Sequence, residues 1–327
     1  MNKKIEQKIN RKIVLKLIFY TFIIILIFSD VEVEKRIAKK KLLNLFPHNY
    51  KYFVCFCSIG KKENLYVREL VEYYIKSGVD KFYFGDNNDI NTEKLSDVLQ
   101  DFINNKTVEI INLIGVKKKR LAIKFYMEMY NTHKSDCNWM MFYDFDEFLD
   151  FTDKNMTVKK FLSDEKFDKC DIVKINWLAF NDNDLLYYDN RSMNERFTKP
   201  VYNYYLNSFV KPIVRGNLFE PIWKINVNCH SPNHHKAVCN CLGERILGDR
   251  AHIRPPIFNV SYIKHFRAKT IEEFAQKTKR GYAENKYDIN YYINLFFSIN
   301  KFSEEKLRIY EKIMNITLPN YHEKPNL

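Results

Sequence analysis

Asp144-Phe145-Asp146-Glu147 places three carboxylates within four positions. Hard divalent cations take oxygen ligands, and clustered carboxylates supply them. Such a cation can bridge the two phosphates of a nucleoside diphosphate-sugar and stabilise the charge that builds on the departing diphosphate. The spacing therefore reads as Asp144 and Asp146 holding Mn²⁺ or Mg²⁺, with Glu147 orienting the pair or meeting the donor. An acidic surface loop has the same composition, so the preceding residues matter. Residues 138–143, Asn-Trp-Met-Met-Phe-Tyr, form an apolar run that predicts a buried strand. The carboxylates then follow its end, where α/β sheets bind their ligands.

Other residues suit the same chemistry. Thr270 and Glu273 have capping-box spacing, which starts a helix near residue 271. A helix N-terminus favours anions, and Arg267 and Lys269 add charge there. His265 lies just upstream, and a hydrogen-bonded core histidine is one reading of it. A hydroxyl attacking a sugar needs a carboxylate to accept its proton, and Glu195 and Asp182 are the candidates. Ser58, Glu63, Asp86 and Asn87 fall at the ends of the first two predicted strands and are expected to contact the donor. Cys229, His230, His234, His235, Cys239 and Cys241 admit a zinc site, a disulfide or free thiols. Cys55 and Cys57 lie in an apolar run and read as buried thiols; Cys137 and Cys170 show no pattern.

The elements that must position these groups alternate. Residues 52–59 are a continuous apolar run, as in a strand covered on both faces. A helical stretch with Tyr66, Leu70, Tyr73 and Tyr74 on one face stops at Gly78. Strands follow at 79–84, 107–113 and 138–143, separated by helices around Leu95–Ile103 and over 118–131. Residues 157–163 read as a helix and 171–180 as a strand; 200–260 is irregular. Alternation with short connections predicts an α/β, mostly parallel sheet with flanking helices. No G-x-G-x-x-G or P-loop is present, so dehydrogenase and Walker-type readings lose their usual support.

Lys62-Glu63-Asn64, Glu69, Tyr73, Gly78-Val79-Asp80, Asp86-Asn87-Asn88 and residues 139–148 resemble glycosyltransferase family 92 and its relatives in the family 2-like GT-A group. His265-Phe266, Lys269-Thr270, Glu273-Phe274, Lys277 and Arg280-Gly281 resemble a second signature of those proteins, and Glu195-Arg196-Phe197 a further element. The resemblance spans residues 52–282. It implies a GT-A, Rossmann-like fold, a nucleotide-sugar donor (often a UDP-hexose) and transfer with inversion. It also implies the other reading of His265, that it joins the metal or touches the diphosphate. Asn88 stands where the family tends to carry Ser, and Lys119-Arg120-Leu121-Ala122 where it often has Gln-x-x-Ala. Both differences bear on the donor rather than the fold.

Residues 13–29 carry a single charge, Lys16, and reach the lower length limit of a membrane span. They read as an anchor after a basic tail over 1–12, with a stem over 30–51 and the GT-A domain over 52–327. A cleaved signal peptide is the rival. Basic residues before the span favour a cytoplasmic N-terminus, so the chain belongs in the Golgi if eukaryotic and the inner membrane if bacterial. The net charge is +13, but residues 1–51 hold 12 of 53 Lys+Arg and 4 of 40 Asp+Glu. The modest excess left to the remainder argues against nucleic acid as a partner. The expected partners are a nucleotide-sugar donor, a glycan, glycoprotein or glycolipid acceptor, and the membrane. A metal-dependent nucleotidyltransferase and a non-catalytic sugar-nucleotide or glycan binder are the alternatives.

Overall fold

The structure is a computed structural model that describes residues 49–216, 218, 237–246, 251–281 and 288–322. The expected anchor over 13–29, most of the stem, Cys229, His230, His234 and His235 lie outside the described residues. Among the described residues no helix is long and apolar enough to cross a membrane.

The strands are β1 (Tyr52–Gly60), β2 (Lys81–Asp86), β3 (Val108–Asn112), β4 (Cys137–Phe142), β5 (Glu147–Phe151), β6 (Ile172–Phe180), β7 (Pro200–Val201), β8 (Val210–Arg215), β9 (Val238–Cys239) and β10 (Ser261–His265). The helices are α1 (Asn64–Lys76), α2 (Leu95–Asn104), α3 (Leu121–His133), α4 (Val158–Leu162), α5 (Met193–Arg196), α6 (Tyr204–Asn207), α7 (Ile271–Arg280), α8 (Ile289–Ile299), α9 (Glu304–Met314) and α10 (Pro319–His322). One mixed sheet runs β3-β2-β1-β4-β8-β6-β10-β5, with β7 and β9 also paired to β6.

The first half, β3-β2-β1-β4, is parallel, as the alternation predicts. Both its faces are covered. Val54 and Phe56 of β1 pack with Tyr66, Leu70 and Tyr74 of α1. Cys55 and Cys57, on the opposite face, pack with Phe125, Tyr126 and Met129 of α3. This two-sided burial explains why these strands read as unbroken apolar runs.

In the second half β6 and β10 pair in parallel and keep the direction of β1–β4, so the sheet is mostly parallel as expected, but two strands of this order are reversed. β8 runs antiparallel to both β4 and β6, and β5 runs antiparallel to β10. β5 was not anticipated: only four residues, Tyr143 to Asp146, separate it from β4, so apolar patterning gave no clear break to read. Tyr73 and Tyr74 of α1 fix it in place. Their hydroxyls donate to the carbonyls of Leu149 and Glu147 at 2.8 and 2.9 Å.

Two disulfides brace the sheet. Cys55–Cys137 joins β1 to β4, and Cys170–Cys239 joins the approach to β6 with β9. Cys55 is therefore not a thiol, whereas Cys57 and Cys241 are buried and free. Cys239 finds its partner outside the Cys/His segment in which the sequence places it.

α7 is set by a buried network. Thr270 and Glu273 form the expected capping box. The Arg196 guanidinium donates to both Glu273 oxygens at 2.8 and 3.1 Å, and the Tyr66 hydroxyl donates to Oε1 at 2.7 Å. Burial pushes the Glu273 carboxyl up, but Arg196, Lys269 and Tyr66 together hold it below its ordinary value of 4.5. A carboxyl lowered on folding contributes stability above its unfolded pKa and loses it on acidification. Glu273→Gln should therefore lower stability at neutral pH by about 3–5 kcal/mol, since Arg196 stays buried without its counter-charge. It should also flatten the loss of stability below about pH 4.5. Urea midpoints at neutral pH and about pH 4 measure both effects.

Candidate active site

The chain passes from β1 outward to β2 and β3, then returns to β4 on the other side of β1. The strand order therefore reverses between β1 and β4, and a crevice opens at the carboxyl ends there. Glu63 follows β1, and Asp144-Phe145-Asp146 is the turn joining β4 to β5. Phe145 packs so closely over Gly60 that a Cβ there would lie 2.5 Å from its ring. Only glycine allows the turn to sit down on β1 in this way.

The three carboxylates of the turn have different surroundings. Asp144 is partly exposed, and its Oδ2 lies 2.8 Å from Lys211 Nζ. Glu147, the first residue of β5, is fully buried; its Oε2 accepts from the Asp144 N–H at 2.9 Å and lies 3.3 Å from Lys211 Nζ. Burial raises the Glu147 carboxyl to about 8 against the pull of Lys211, with Asp144 and Asp146 adding to the rise. Asp146 is buried. Lys277 Nζ donates to its Oδ2 at 2.8 Å, and His265 Nε2 stands 3.8 Å from its Oδ1. Burial opposes ionisation of Asp146, but Lys277, His265 and Lys269 outweigh it and hold the carboxyl far below the usual range. Burial pushes His265 well below its ordinary value, so the ring is neutral, with a lone pair to offer. It packs on Trp177 with centroids 4.2 Å apart.

α7 supplies the facing charges. Glu273, Lys277 and Arg280 recur at helical spacing and share one face. Arg280 bonds Glu63 and the carbonyls of Lys61 and Lys62. Lys269 lies 3.5 Å from Glu63 and over the Tyr66 ring at 3.6 Å. Its φ of 54° is a left-handed conformation that side-chain-bearing residues avoid. Lys211, Lys269, Lys277 and Arg280 thus face Glu63, Asp144, Asp146 and Glu147, basic groups matching acidic ones in number.

The fit to a divalent ion can be judged from these donors. Asp146 and His265 would offer a divalent ion a carboxylate oxygen and a ring nitrogen, donor types that such ions accept. Among the described residues no three His, Cys, Asp or Glu side chains assemble a ready ligand set. Donor phosphates and water would have to complete the shell, as is usual for Mg²⁺.

Other sequence candidates are engaged elsewhere. Both Asp86 oxygens accept backbone N–H groups, from Leu95 at 2.8 Å and Asn88 at 3.0 Å, so this carboxylate ties down the loop after β2. In the orientation its neighbours require, the Asn87 amide donates to the carbonyls of Leu113 and Val116. Ser58 is sealed inside β1. Asp182 is buried 2.7 Å from Lys306 of α9, and exposed Glu195 caps α5 by accepting from the Ser192 N–H and hydroxyl. Lys211, Lys277 and Arg280 were not assigned from sequence. Lys277 and Arg280 were readable as the Glu273 face of an amphipathic helix, and Lys211 as a charge inside an otherwise apolar strand. A separate cavity of about 640 Å³, lined by Lys51, Lys81, Lys106 and His133, opens at the amino ends of β1–β3, away from this cluster.

Residues 50–280 match glycosyltransferase family 92. No curated protein matches the chain. Among solved structures, the crystal structure of S. aureus TarS 1-349 aligns with a TM-score of 0.30 and 11% identity, over 80% of this chain and 71% of that chain. So low a score adds no weight to the family match.

Lys211 holds two carboxylates together from inside the sheet. Lys211→Met should destabilise the protein increasingly as pH rises above about 8, where Glu147 must ionise without its buried counter-charge. Adding Glu147→Gln should recover part of that loss. A Glu147→Gln change that shifts the melting temperature equally with and without Lys211 would show that the two residues are not coupled.

Proposed function

The chain belongs to glycosyltransferase family 92 and is a glycosyltransferase; we propose that it is a GT-A enzyme transferring a hexose from a UDP-sugar, with inversion, to a glycan hydroxyl. The observation that carries this reading is the pairing of Asp146 with His265, 3.8 Å apart at the switch point, under Lys277 of α7. Asp146 and His265 would hold Mn²⁺ or Mg²⁺, with Asp144 beside them. When bound, the ion supplies positive charge for the leaving diphosphate.

The chain's own residues do the rest. Lys277, Lys269 and Arg280 form a basic rim whose cations stabilise the same developing charge. Because the apo cluster is already matched, a bare divalent ion must compete with Lys277 for Asp146. A nucleoside diphosphate brings the anionic charge that frees the ammonium, so ion and nucleotide should enter together. Glu147, raised by burial, hydrogen-bonds the turn and keeps the Asp144 backbone in place. Of the two carboxylates read as bases, Glu195 is open to solvent and is carried forward as the proton acceptor; Asp182 is committed to Lys306.

The disulfides fit an oxidising compartment. With the basic tail and apolar segment over 13–29, they support a single-pass membrane protein with a cytoplasmic N-terminus and a catalytic domain on the other side.

Titration calorimetry with MnCl₂ and UDP tests the site. Each ligand should bind at least about tenfold more tightly in the presence of the other, and Asp146→Asn or His265→Ala should abolish that enhancement. Independent binding that survives both variants would remove the metal reading. In a transfer assay across UDP- and GDP-hexoses, UDP-sugars should be used, and Glu195→Gln should lower kcat by about 10²-fold or more. Near-normal turnover by that variant takes Glu195 out of the mechanism.

A further inference from the structure

The chain between β7 and β8 leaves the edge of β6 and returns to it, carrying Tyr202, Tyr204 and Tyr205 into solvent at 75, 60 and 60% exposure. Large apolar side chains so exposed normally mark an interaction surface when they cluster. Here all three are tyrosines; among the described residues the strongly exposed aliphatic side chains, Leu65, Ile75 and Ile90, belong to other parts of the chain.

The backbone beneath them is held firmly. Asn207 is buried; its Nδ2 donates to the Val201 carbonyl at 2.8 Å, and its Oδ1 accepts from the Ala179 N–H at 3.0 Å. Asn203 caps α6 by accepting from the Leu206 N–H at 3.0 Å. Asn176, also buried, donates to the carbonyls of Asn207 and Ser208 at 3.1 and 3.2 Å. Rings displayed on a pinned backbone lose little conformational freedom when a ligand stacks on them.

The platform adjoins the candidate active site. Ala179 pairs with Val201 on one edge of β6 and with His265 on the other. Two strand spacings therefore put Val201, and Tyr202 after it, about 10 Å from His265. Leu206 of α6 and His265 also line the same small void. Next to the rings are polar groups. The Arg254 guanidinium lies 5.8 Å from the Tyr205 ring, whose centroid is 6.0 Å from His252.

We propose that Tyr202, Tyr204 and Tyr205 form an acceptor platform that binds several consecutive sugar rings of a glycan chain and leads its terminal hydroxyl toward His265. Pyranose rings present flat C–H faces that stack on aromatic faces, while phenol, amide and guanidinium groups meet their hydroxyls. A protein partner would call for a larger patch with aliphatic members and a buried apolar centre. The proposal rests on the glycosyl-transfer reading of the neighbouring cluster and extends it to a polymeric acceptor.

The full chain should be applied to a printed array of linear oligosaccharides, from disaccharides to longer chains, alongside glycan-free vesicles of neutral and anionic lipid. The wild type should retain at least one glycan series more strongly as the chain lengthens. The triple variant Tyr202→Ala/Tyr204→Ala/Tyr205→Ala should weaken that retention by about tenfold or more, and the corresponding Phe variant should restore most of it. UDP binding should be the same in all three proteins. Retention of no glycan by the wild type, retention unaffected by the alanines, or tyrosine-dependent retention of vesicles instead would each overturn the platform. Loss of UDP binding in the wild type would count separately, against the donor reading.

Discussion

Matched charge at the β1/β4 crevice is the constraint on which the rest of the structure depends. Glu63, Asp146, Lys211 and Lys269 are all buried there, and an ionised group out of water is tolerated only beside its counter-charge. That requirement fixes the relation of distant parts of the chain. α7 cannot leave without stranding Asp146 and Glu63. β8 must place Lys211 under the turn, and β5 must pair with β10 so that Glu147 and His265 lie side by side in register. Networks of this kind add less to net stability than hydrophobic burial does. What they add here is a defined arrangement of charge before any ligand arrives.

The fold divides the labour accordingly. The parallel half, sealed by α1 on one face and α3 on the other, is a rigid floor whose strand ends present Glu63 and the Asp144–Glu147 turn. The mixed half brings up β8 and β10, which a parallel sheet with helical crossovers would have kept apart. The Arg196–Glu273–Tyr66 network then sets the face of α7 over the crevice. The charge cluster is thus assembled from segments more than a hundred residues apart, Glu63 and Asp146 at one end and Lys277 and Arg280 at the other.

Much of this was legible in the sequence, for a physical reason in each case. Strands buried on both faces leave apolar runs, and capping boxes leave fixed spacings, so β1 to β4 and the start of α7 could be located. Asp144, Asp146 and Glu147 stood out as three carboxylates within four positions directly after a buried strand. Asp86 and Asp182 also follow strands, but a carboxylate that ties down backbone N–H groups or pairs with a distant lysine looks the same in sequence as one that meets a ligand. Cys55 looked like a core thiol because its partner, Cys137, is 82 residues away and no local pattern links them. Lys277 stood in a recognisable pattern, but its partner Asp146, like the partners of Lys211, is defined only by the fold. The tyrosines of the β7–β8 excursion lay in a segment without periodicity, where exposure could not be inferred.

The central claim is that this cluster closes around a divalent ion and a nucleoside diphosphate together. Anomalous diffraction at the manganese absorption edge, from crystals grown with MnCl₂ and UDP, tests it most directly. The account predicts a single strong peak about 2.1 Å from Asp146 Oδ1 and His265 Nε2, with the Lys277 ammonium moved onto a phosphate oxygen. A nucleotide bound with no peak there, or a Lys277–Asp146 pair left intact beneath it, would contradict the account.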